Sequence, residues 1–146
     1  MKHLKHKYYF IGIGGVGMSA LARLCLRQGH QVVGYDKTAS PITRSLEEEG
    51  IYITYDTAVK AIPKEFAGAE VKVIYTAAIS NAHPQLTYYL SQGNKTRKRA
   101  VFLADLCKKS KLLAVSGTHG KTTTSAILTH IFSESEYSFS SLMGGF

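Results

Sequence analysis

A glycine-rich loop near the start of the chain has the composition of a phosphate-binding turn. The segment Gly12-Ile13-Gly14-Gly15-Val16-Gly17 matches the pattern G-x-G-x-x-G, between an apolar run and an amphipathic run. In such a loop the first glycine permits a tight turn, the second lets backbone N–H groups approach a diphosphate, and the third allows close helix packing. The helix N-terminus adds a partial positive charge. The pattern predicts a diphosphate site formed by Gly12, Gly14, Gly15, Val16 and Gly17.

An acidic residue follows this loop at the spacing that a dinucleotide-type site requires. Asp36 lies nineteen positions after Gly17, at the end of the second apolar run. A carboxylate in that place can accept a hydrogen bond from a ribose hydroxyl. The loop and Asp36 therefore predict a bound nucleoside diphosphate. They do not distinguish NAD from another such ligand, and a tight turn without a ligand is the alternative.

A second glycine loop lies about a hundred residues further along the chain. It is a shortened P-loop, G-x-x-G-K-T, because Val115 stands where a Walker A loop has its first glycine. A lysine after the last glycine can reach the β- and γ-phosphates of ATP, and the next hydroxyl can bind Mg²⁺. We therefore predict Lys121 as the catalytic group and Thr122 as a metal ligand. The predicted ATP-binding residues are Gly117, Thr118, His119, Gly120, Lys121, Thr122 and Thr123.

The presence of two phosphate loops on one chain narrows the class of protein. A dehydrogenase or an ordinary ATPase needs one such loop. An enzyme that uses ATP to join a nucleotide-carrying substrate to a second molecule needs both. The alternative for the second loop is a threonine-capped helix with one exposed lysine.

The segments that must position these loops alternate between apolar runs and amphipathic runs. Predicted strands are Tyr8–Ile13, Gln31–Tyr35, Ile51–Thr54, Val71–Tyr75 and Leu112–Ser116. Predicted helices are Val16–Arg27, Thr43–Glu49, Pro84–Gln92, Val101–Lys108 and Lys121–Phe132. This order predicts an α/β protein with a Rossmann-like parallel sheet and helices on both faces, followed by the opening strand, P-loop and helix of an ATPase domain. We expect the first domain to span residues 1–108 and the second to begin within residues 109–146.

Composition, charge and cysteine spacing argue against nucleic-acid binding, a disulfide framework and a cysteine-bound metal. The chain has 146 residues, 45% of them hydrophobic, and a formal net charge of +8, which favours anionic partners. The basic residues concentrate between Lys95 and Lys111, a pattern typical of a solvated face, and no nucleic-acid-binding motif accompanies them. Cys25 and Cys107 are too isolated for a disulfide framework or a metal site, so we expect small buried side chains in a reducing compartment.

The start of the chain has a superficial likeness to a signal peptide. Lysines precede an uncharged run over residues 8–22. That run is shorter than the roughly 20 apolar residues needed to span a bilayer, and it contains the first glycine loop. We therefore expect a cytoplasmic protein without membrane insertion.

Both loops resemble those of the Mur ligase family, and most closely those of its alanine-adding members. The similarity is strongest over residues 9–22 and 114–124, the latter including His119. Weaker similarities are Gly34-Tyr35-Asp36, Thr76-Ala77-Ala78-Ile79 and Lys98-Arg99-Ala100. The family commonly has an acid after the last of these, where this chain has Val101, and this departure weakens the assignment of Arg99.

The resemblance implies a function, substrates and further site residues. It implies that the first loop and Asp36 bind UDP-N-acetylmuramate, with Thr76, Ala77 and Arg99 close by. It also implies ATP and Mg²⁺ at the second loop, and ligation of L-alanine through an acyl phosphate in peptidoglycan precursor synthesis. Because later parts of the family's pattern are absent, we expect this chain alone to be inactive. The alternatives are a ligase that attaches a tripeptide to the same sugar nucleotide, a fragment of an NAD-dependent oxidoreductase, or a non-catalytic nucleotide sensor.

Overall fold

Five parallel strands form one sheet in the computed structural model, which describes residues 5–108 and 111–143. The strands are β1 (Lys7–Ile11), β2 (Gln31–Tyr35), β3 (Tyr52–Thr54), β4 (Lys72–Tyr75) and β5 (Thr96–Lys98). Their order is β3-β2-β1-β4-β5, and every neighbouring pair is parallel. The strand order reverses at β1, so the switch point of this Rossmann-like sheet lies between the carboxyl ends of β1 and β4. The predicted fold class is confirmed.

Helices cover both faces of the sheet. They are α1 (Val16–Arg27), α2 (Pro41–Glu48), α3 (Pro84–Ser91), α4 (Arg99–Cys107) and α5 (Lys121–Ser133), with short 3-10 turns at Val59–Ala61 and Lys64–Phe66. The start of α2 is specified locally, because Ser40 and Thr43 form a reciprocal capping box and Pro41 occupies the first turn.

Alternating side chains of β1 build two separate apolar cores. Tyr8 and Phe10 point to one face, where α1, α2 and α4 supply Leu21, Leu46 and Phe102. Tyr9 and Ile11 point to the other face, where α3 and the 3-10 turns pack; that core also contains Phe66, Leu86 and Tyr89. Strands buried on both faces explain why the apolar runs in the sequence are nearly continuous.

A buried polar network ties α3 to the loop after β3. The Tyr9 hydroxyl donates to Oε1 of Gln85 at 3.0 Å, and Nε2 of Gln85 donates to the carbonyls of Asp56 (3.0 Å) and Ala58 (3.3 Å). Gln85 is fully buried, so this set of bonds satisfies the amide that would otherwise be costly to bury. The network holds residues 56–58 against the face of the sheet that bears α3.

The strand predicted at Leu112–Ser116 is not formed, and the fifth strand is β5 instead. Residues 111–116 have no strand conformation, and Leu112 and Leu113 are 64% and 65% exposed. A strand needs a partner for its backbone groups, and no described strand pairs with this segment. β5 was missed because it is a short edge strand with the sequence Thr-Arg-Lys, which lacks an apolar pattern and has the charges that protect sheet edges.

The remaining elements agree in part with their predictions. α5 forms as expected but has no buried residue. Cys25 is buried, and burial raises the pKa of its thiol to about 12, whereas Cys107 is only partly buried. Within the described ranges no helix is long and apolar enough to cross a membrane. The predicted domain boundary includes residues 109 and 110, which lie outside the described residues, so the division of the chain into two domains stays a prediction.

His83 is an unusual polar residue at the start of α3. Its ring lies 4.7 Å, centroid to centroid, from that of Tyr35. Both ring nitrogens are buried and make no hydrogen bond within the described residues. Desolvation lowers the pKa of His83 below its ordinary value, so the fold favours the neutral imidazole.

The stability of the fold should therefore depend on pH through His83. The free energy of unfolding should fall as the pH is lowered from about 7.5 to about 5, because the unfolded chain takes up a proton that the buried imidazole resists. Urea denaturation of the wild type and of His83→Gln across this range measures the effect. The variant should have a smaller slope than the wild type. An unchanged slope in the His83 variant would contradict the assignment.

Candidate functional site

The first glycine loop lies at the switch point of the sheet, directly after β1. The backbone N–H groups of Gly12 and Ile13 both donate to the carbonyl of Tyr35, at 2.8 and 3.0 Å, so the loop is fastened to the end of β2. Gly12 has a φ of 84°, a left-handed conformation that favours glycine. A Cβ at Gly12 would lie 2.5 Å from Cγ2 of Thr76, the residue that follows β4. The turns after β1 and β4 are thus in contact.

Asp36 is bonded to the loop itself. Its Oδ2 accepts the N–H of Gly14 at 2.7 Å, and its Oδ1 accepts the N–H of Thr38 at 3.3 Å. A Cβ at Gly14 would lie 2.8 Å from Oδ2 of Asp36 and 2.8 Å from Cγ2 of Thr43. Glycine is therefore needed at position 14 to admit these two side chains, a reason that the motif alone does not reveal. Asp36 orders the loop, and its carboxylate retains lone pairs that these two bonds do not use.

The N-terminus of α1 faces the same place, and the Asp36 carboxylate lies beside it, bonded to Gly14 just before the helix. Gly15 is the N-cap residue, no side chain caps the helix, and its first turn has no acidic residue. Gly15 and Val16 are exposed at the rim of the loop. The unpaired N–H groups and the partial positive charge of a helix N-terminus attract anions. These features suit the predicted diphosphate.

Arg99 brings a cation to this helix end from the start of α4. A Cβ at Gly17 would lie 2.5 Å from Nη1 and 3.3 Å from Cζ of Arg99, so the third glycine leaves room for the guanidinium. Arg99 is exposed and makes no hydrogen bond or ion pair with any residue that the structure describes. Guanidinium groups bind phosphate oxygens through paired N–H donors. The fold thus brings Arg99 to the glycine loop despite the departure at Val101.

The loop after β4 completes the rim. The N–H of Thr76 donates to the carbonyl of Ile11 at 3.2 Å, and the N–H of Ile79 donates to the carbonyl of Thr76 at 3.2 Å. Ala77 is exposed within this turn. The predicted residues of the first site therefore lie together at the carboxyl ends of the strands, around the end of β1.

The second glycine loop joins an extended segment to α5. Gly117 has a φ of 156° and Gly120 has a φ of 75°, and Gly120 is the N-cap of α5. Nζ of Lys121 donates to the carbonyl of Gly117 at 2.6 Å, so the ammonium lies back across the loop. No side chain caps the helix, so the threonine cap of the alternative interpretation is not formed. His119, Thr122 and the other predicted ATP-binding residues are exposed.

The second loop offers one protein ligand for a magnesium ion, the hydroxyl of Thr122. The hydroxyl of Thr122 lies in the exposed first turn of α5, and Mg²⁺ prefers oxygen ligands. Over residues 5–108 and 111–143 no cluster of three or more histidine, cysteine, aspartate or glutamate side chains could hold a metal. Thr122 fits a Mg²⁺ that takes its other ligands from nucleotide phosphates, water or protein groups beyond these residues.

Sequence reasoning missed two contributors to the first site. It assigned no role to Thr43, whose methyl group lies beside Gly14, and for Tyr35 it gave a strand position and a weak family similarity but no contact with the loop. Neither role has a sequence signal, because each depends on how α2 and β2 lie against the loop in the tertiary structure.

Comparison with known proteins identifies the family. The sequence model of the Mur ligase family, catalytic domain, matches residues 7–111, which include the first glycine loop and Arg99. The chain belongs to the Mur ligase family. It is 46% identical over 140 residues to a UDP-N-acetylmuramate–L-alanine ligase of Flavobacterium psychrophilum, covering 96% of this chain and 31% of the relative. The corresponding ligase of Porphyromonas gingivalis is 43% identical over 140 residues, covering 95% and 31%.

Solved structures of the family have the same fold. The UDP-N-acetylmuramate-alanine ligase MurC from Thermotoga maritima matches with a TM-score of 0.77 and 30% identity, covering 87% of this chain and 29% of that one. A UDP-N-acetylmuramate:L-alanyl-gamma-D-glutamyl-meso-diaminopimelate ligase from Neisseria meningitides also matches with a TM-score of 0.77, at 26% identity, covering 89% and 40%. The chain spans about 30% of the length of the curated relatives it matches.

The hydrogen bond from Gly14 to Asp36 should contribute to stability in the absence of any ligand. Asp36→Ala leaves a partly buried N–H without its acceptor and should lower the free energy of unfolding by about 1–2 kcal/mol. Asp36→Asn retains an acceptor oxygen and should lose less. Chemical denaturation of the two variants measures the difference. Equal losses in both would show that the charge of Asp36, and not its hydrogen bond, holds the loop.

Proposed function

We propose that this chain is the nucleotide-binding part of a ligase that joins L-alanine to UDP-N-acetylmuramate with ATP, in peptidoglycan precursor synthesis. The observation that carries the proposal is the pairing of two phosphate loops on one Mur ligase chain, the first with a free guanidinium beside it. The names of the relatives supply the substrates. Because the chain spans about 30% of those relatives, we propose that it binds nucleotides but does not turn over alone.

In the proposed division of labour the first loop holds the UDP part of the sugar nucleotide. The loop N–H groups, the N-terminus of α1 and Arg99 would bind the diphosphate, whose negative charge they complement. Asp36 would accept a hydroxyl of the nucleotide through the lone pairs left by its bonds to the backbone. Thr76 and Ala77 would form the opposite wall.

The second loop would act on ATP. In the proposed reaction the γ-phosphoryl group of ATP passes to the carboxylate of the sugar nucleotide, which yields an acyl phosphate and ADP. The amine of L-alanine then attacks the acyl carbon, the amide bond forms and phosphate leaves. The ammonium of Lys121 would leave the carbonyl of Gly117 to bind the transferred phosphoryl group, whose developing charge it stabilises. A Mg²⁺ bound with help from Thr122 would neutralise further phosphate charge.

One of the solved structures supports a second candidate function. A ligase that attaches a tripeptide to the same sugar nucleotide has equal structural support, because a ligase of that type matches this chain with the same TM-score as the alanine ligase. The higher identity of the curated alanine ligases favours L-alanine. Turnover of the full-length protein with L-alanine and with tripeptide separates the two. An NAD-dependent oxidoreductase would leave the second loop without a purpose.

Arg99 provides a direct test of the first site. In calorimetric titration with UDP-N-acetylmuramate, Arg99→Met should weaken binding about tenfold or more, because it removes a charge-assisted contact to the diphosphate. The neighbouring exposed Lys98→Met is the matched control and should bind nearly as the wild type does. Tighter binding of NADH than of the UDP-sugar to the wild type would reverse the assignment of the ligand.

Lys121 tests the second site in the full-length enzyme. Lys121→Ala should lower kcat about a hundredfold or more, because transition-state charge on the phosphoryl group loses its cation. The affinity for UDP-N-acetylmuramate should stay near that of the wild type, since the first loop is intact. Lys111→Ala, an exposed lysine before the loop, is the control. Steady-state kinetics and titration together measure both quantities, and equal loss of turnover and UDP-sugar affinity would refute separate roles.

A further inference from the structure

A pocket lies at the amino ends of the strands, opposite the first glycine loop. It has a volume of about 650 Å³ and is bordered by the amino ends of β1 and β4, by β5 and by α4. Small-molecule sites in proteins commonly have volumes of about 300–1,000 Å³. The size of this pocket therefore suits a small molecule, and its place keeps it apart from the nucleotide site.

The floor of the pocket is apolar and largely aromatic. The ring of Tyr8 lies 5.5 Å from that of Phe102, centroid to centroid, in a tilted arrangement. Ile74 and Leu106 extend this surface. An apolar or aromatic body could bury its surface on such a floor.

The walls carry an excess of positive charge. Lys72, Lys95 and Arg97 line the pocket, and Asp105 is the carboxylate among its lining residues. Asp105 is already paired with Lys108 at 2.7 Å and with Arg97 at 3.6 Å. Neither Lys72 nor Lys95 has an ion pair within the described residues. Lys95 is close enough to Asp105 for their opposite charges to interact, but Arg97 and Lys108 share that carboxylate, so the pocket keeps a net positive charge.

The ammonium of Lys72 is partly desolvated in this arrangement. Its ammonium lies 5.5 Å from the centroid of the Tyr8 ring. Desolvation and the nearby charge of Lys95 both lower the pKa of Lys72. An anion in the pocket would relieve this repulsion, whereas a neutral or cationic ligand would not.

We propose that this pocket binds a small anionic molecule, a phosphate or carboxylate ester or acid carried on an apolar or aromatic body. The anionic group contacts Lys72 and Lys95, with Arg97 beside them, and the apolar body lies on Tyr8 and Phe102. The site is separate from the nucleotide loops and does not depend on the proposed ligase activity.

Phenyl phosphate is a suitable probe because it combines the two features in one small molecule. Titration of the ¹⁵N-labelled 146-residue chain, followed by NMR, locates each binding event by residue. We expect saturable shifts at the amides of Lys72, Lys95 and Phe102, distinct from any shifts at the two glycine loops. Inorganic phosphate and benzyl alcohol test the anionic and the aromatic part alone, and each should bind this pocket at least tenfold more weakly.

Paired variants make the test decisive. Lys72→Met keeps the apolar stem and should weaken phenyl phosphate binding at this pocket about tenfold, while Lys60→Met on the far face of the sheet should not. Lys95→Gln changes an exposed side chain, so it tests the second lysine charge of the pocket if Lys72→Met fails to fold. Absence of shifts at the pocket, equally tight binding of benzyl alcohol, or shifts that survive both charge removals would overturn the proposal.

Discussion

The hydrogen bonds between the end of β2 and the loop after β1 are the constraint on which the proposed nucleotide site depends. The carbonyl of Tyr35 accepts two loop N–H groups, and the carboxylate of Asp36 accepts that of Gly14. Three consecutive backbone donors are thereby satisfied by two adjacent residues. The loop is held in one shape before any ligand arrives, so binding need not meet the entropic cost of ordering it.

The contacts around the loop give a further physical reason for glycine at these three positions. The three glycines are usually explained by a tight turn, a close ligand and close helix packing. Here each of the three leaves space for a side chain from another part of the chain: Thr76 at Gly12, Asp36 and Thr43 at Gly14, and Arg99 at Gly17. Those side chains come from the ends of β2 and β4 and from the starts of α2 and α4. The glycine loop is therefore contacted by three other connections of the chain, those from β2 to α2, from β4 to α3 and from β5 to α4.

The two halves of the chain differ in how they are stabilised. Residues of the sheet and its helices bury two apolar cores, whereas α5 buries no residue and leaves Ile127 and Ile131 more than half exposed. The P-loop nevertheless has its helix, its left-handed Gly120 and its folded-back Lys121. Local sequence is sufficient for these features because a helix and its N-terminal turn satisfy most of their own hydrogen bonds, which a single strand cannot do.

The amino-acid sequence by itself determined the alternation of elements, the parallel α/β class and the positions of both glycine loops, because periodicity and glycine spacing are local properties. It could not determine the strand order, the edge strand Thr96–Lys98 or the loss of the strand at Leu112–Ser116, because pairing depends on partners distant in sequence. The same reason applies to the site. Asp36 was predicted from its spacing, but its bond to Gly14 and the approach of Arg99 to Gly17 exist only once β2, α1 and α4 are packed on one sheet.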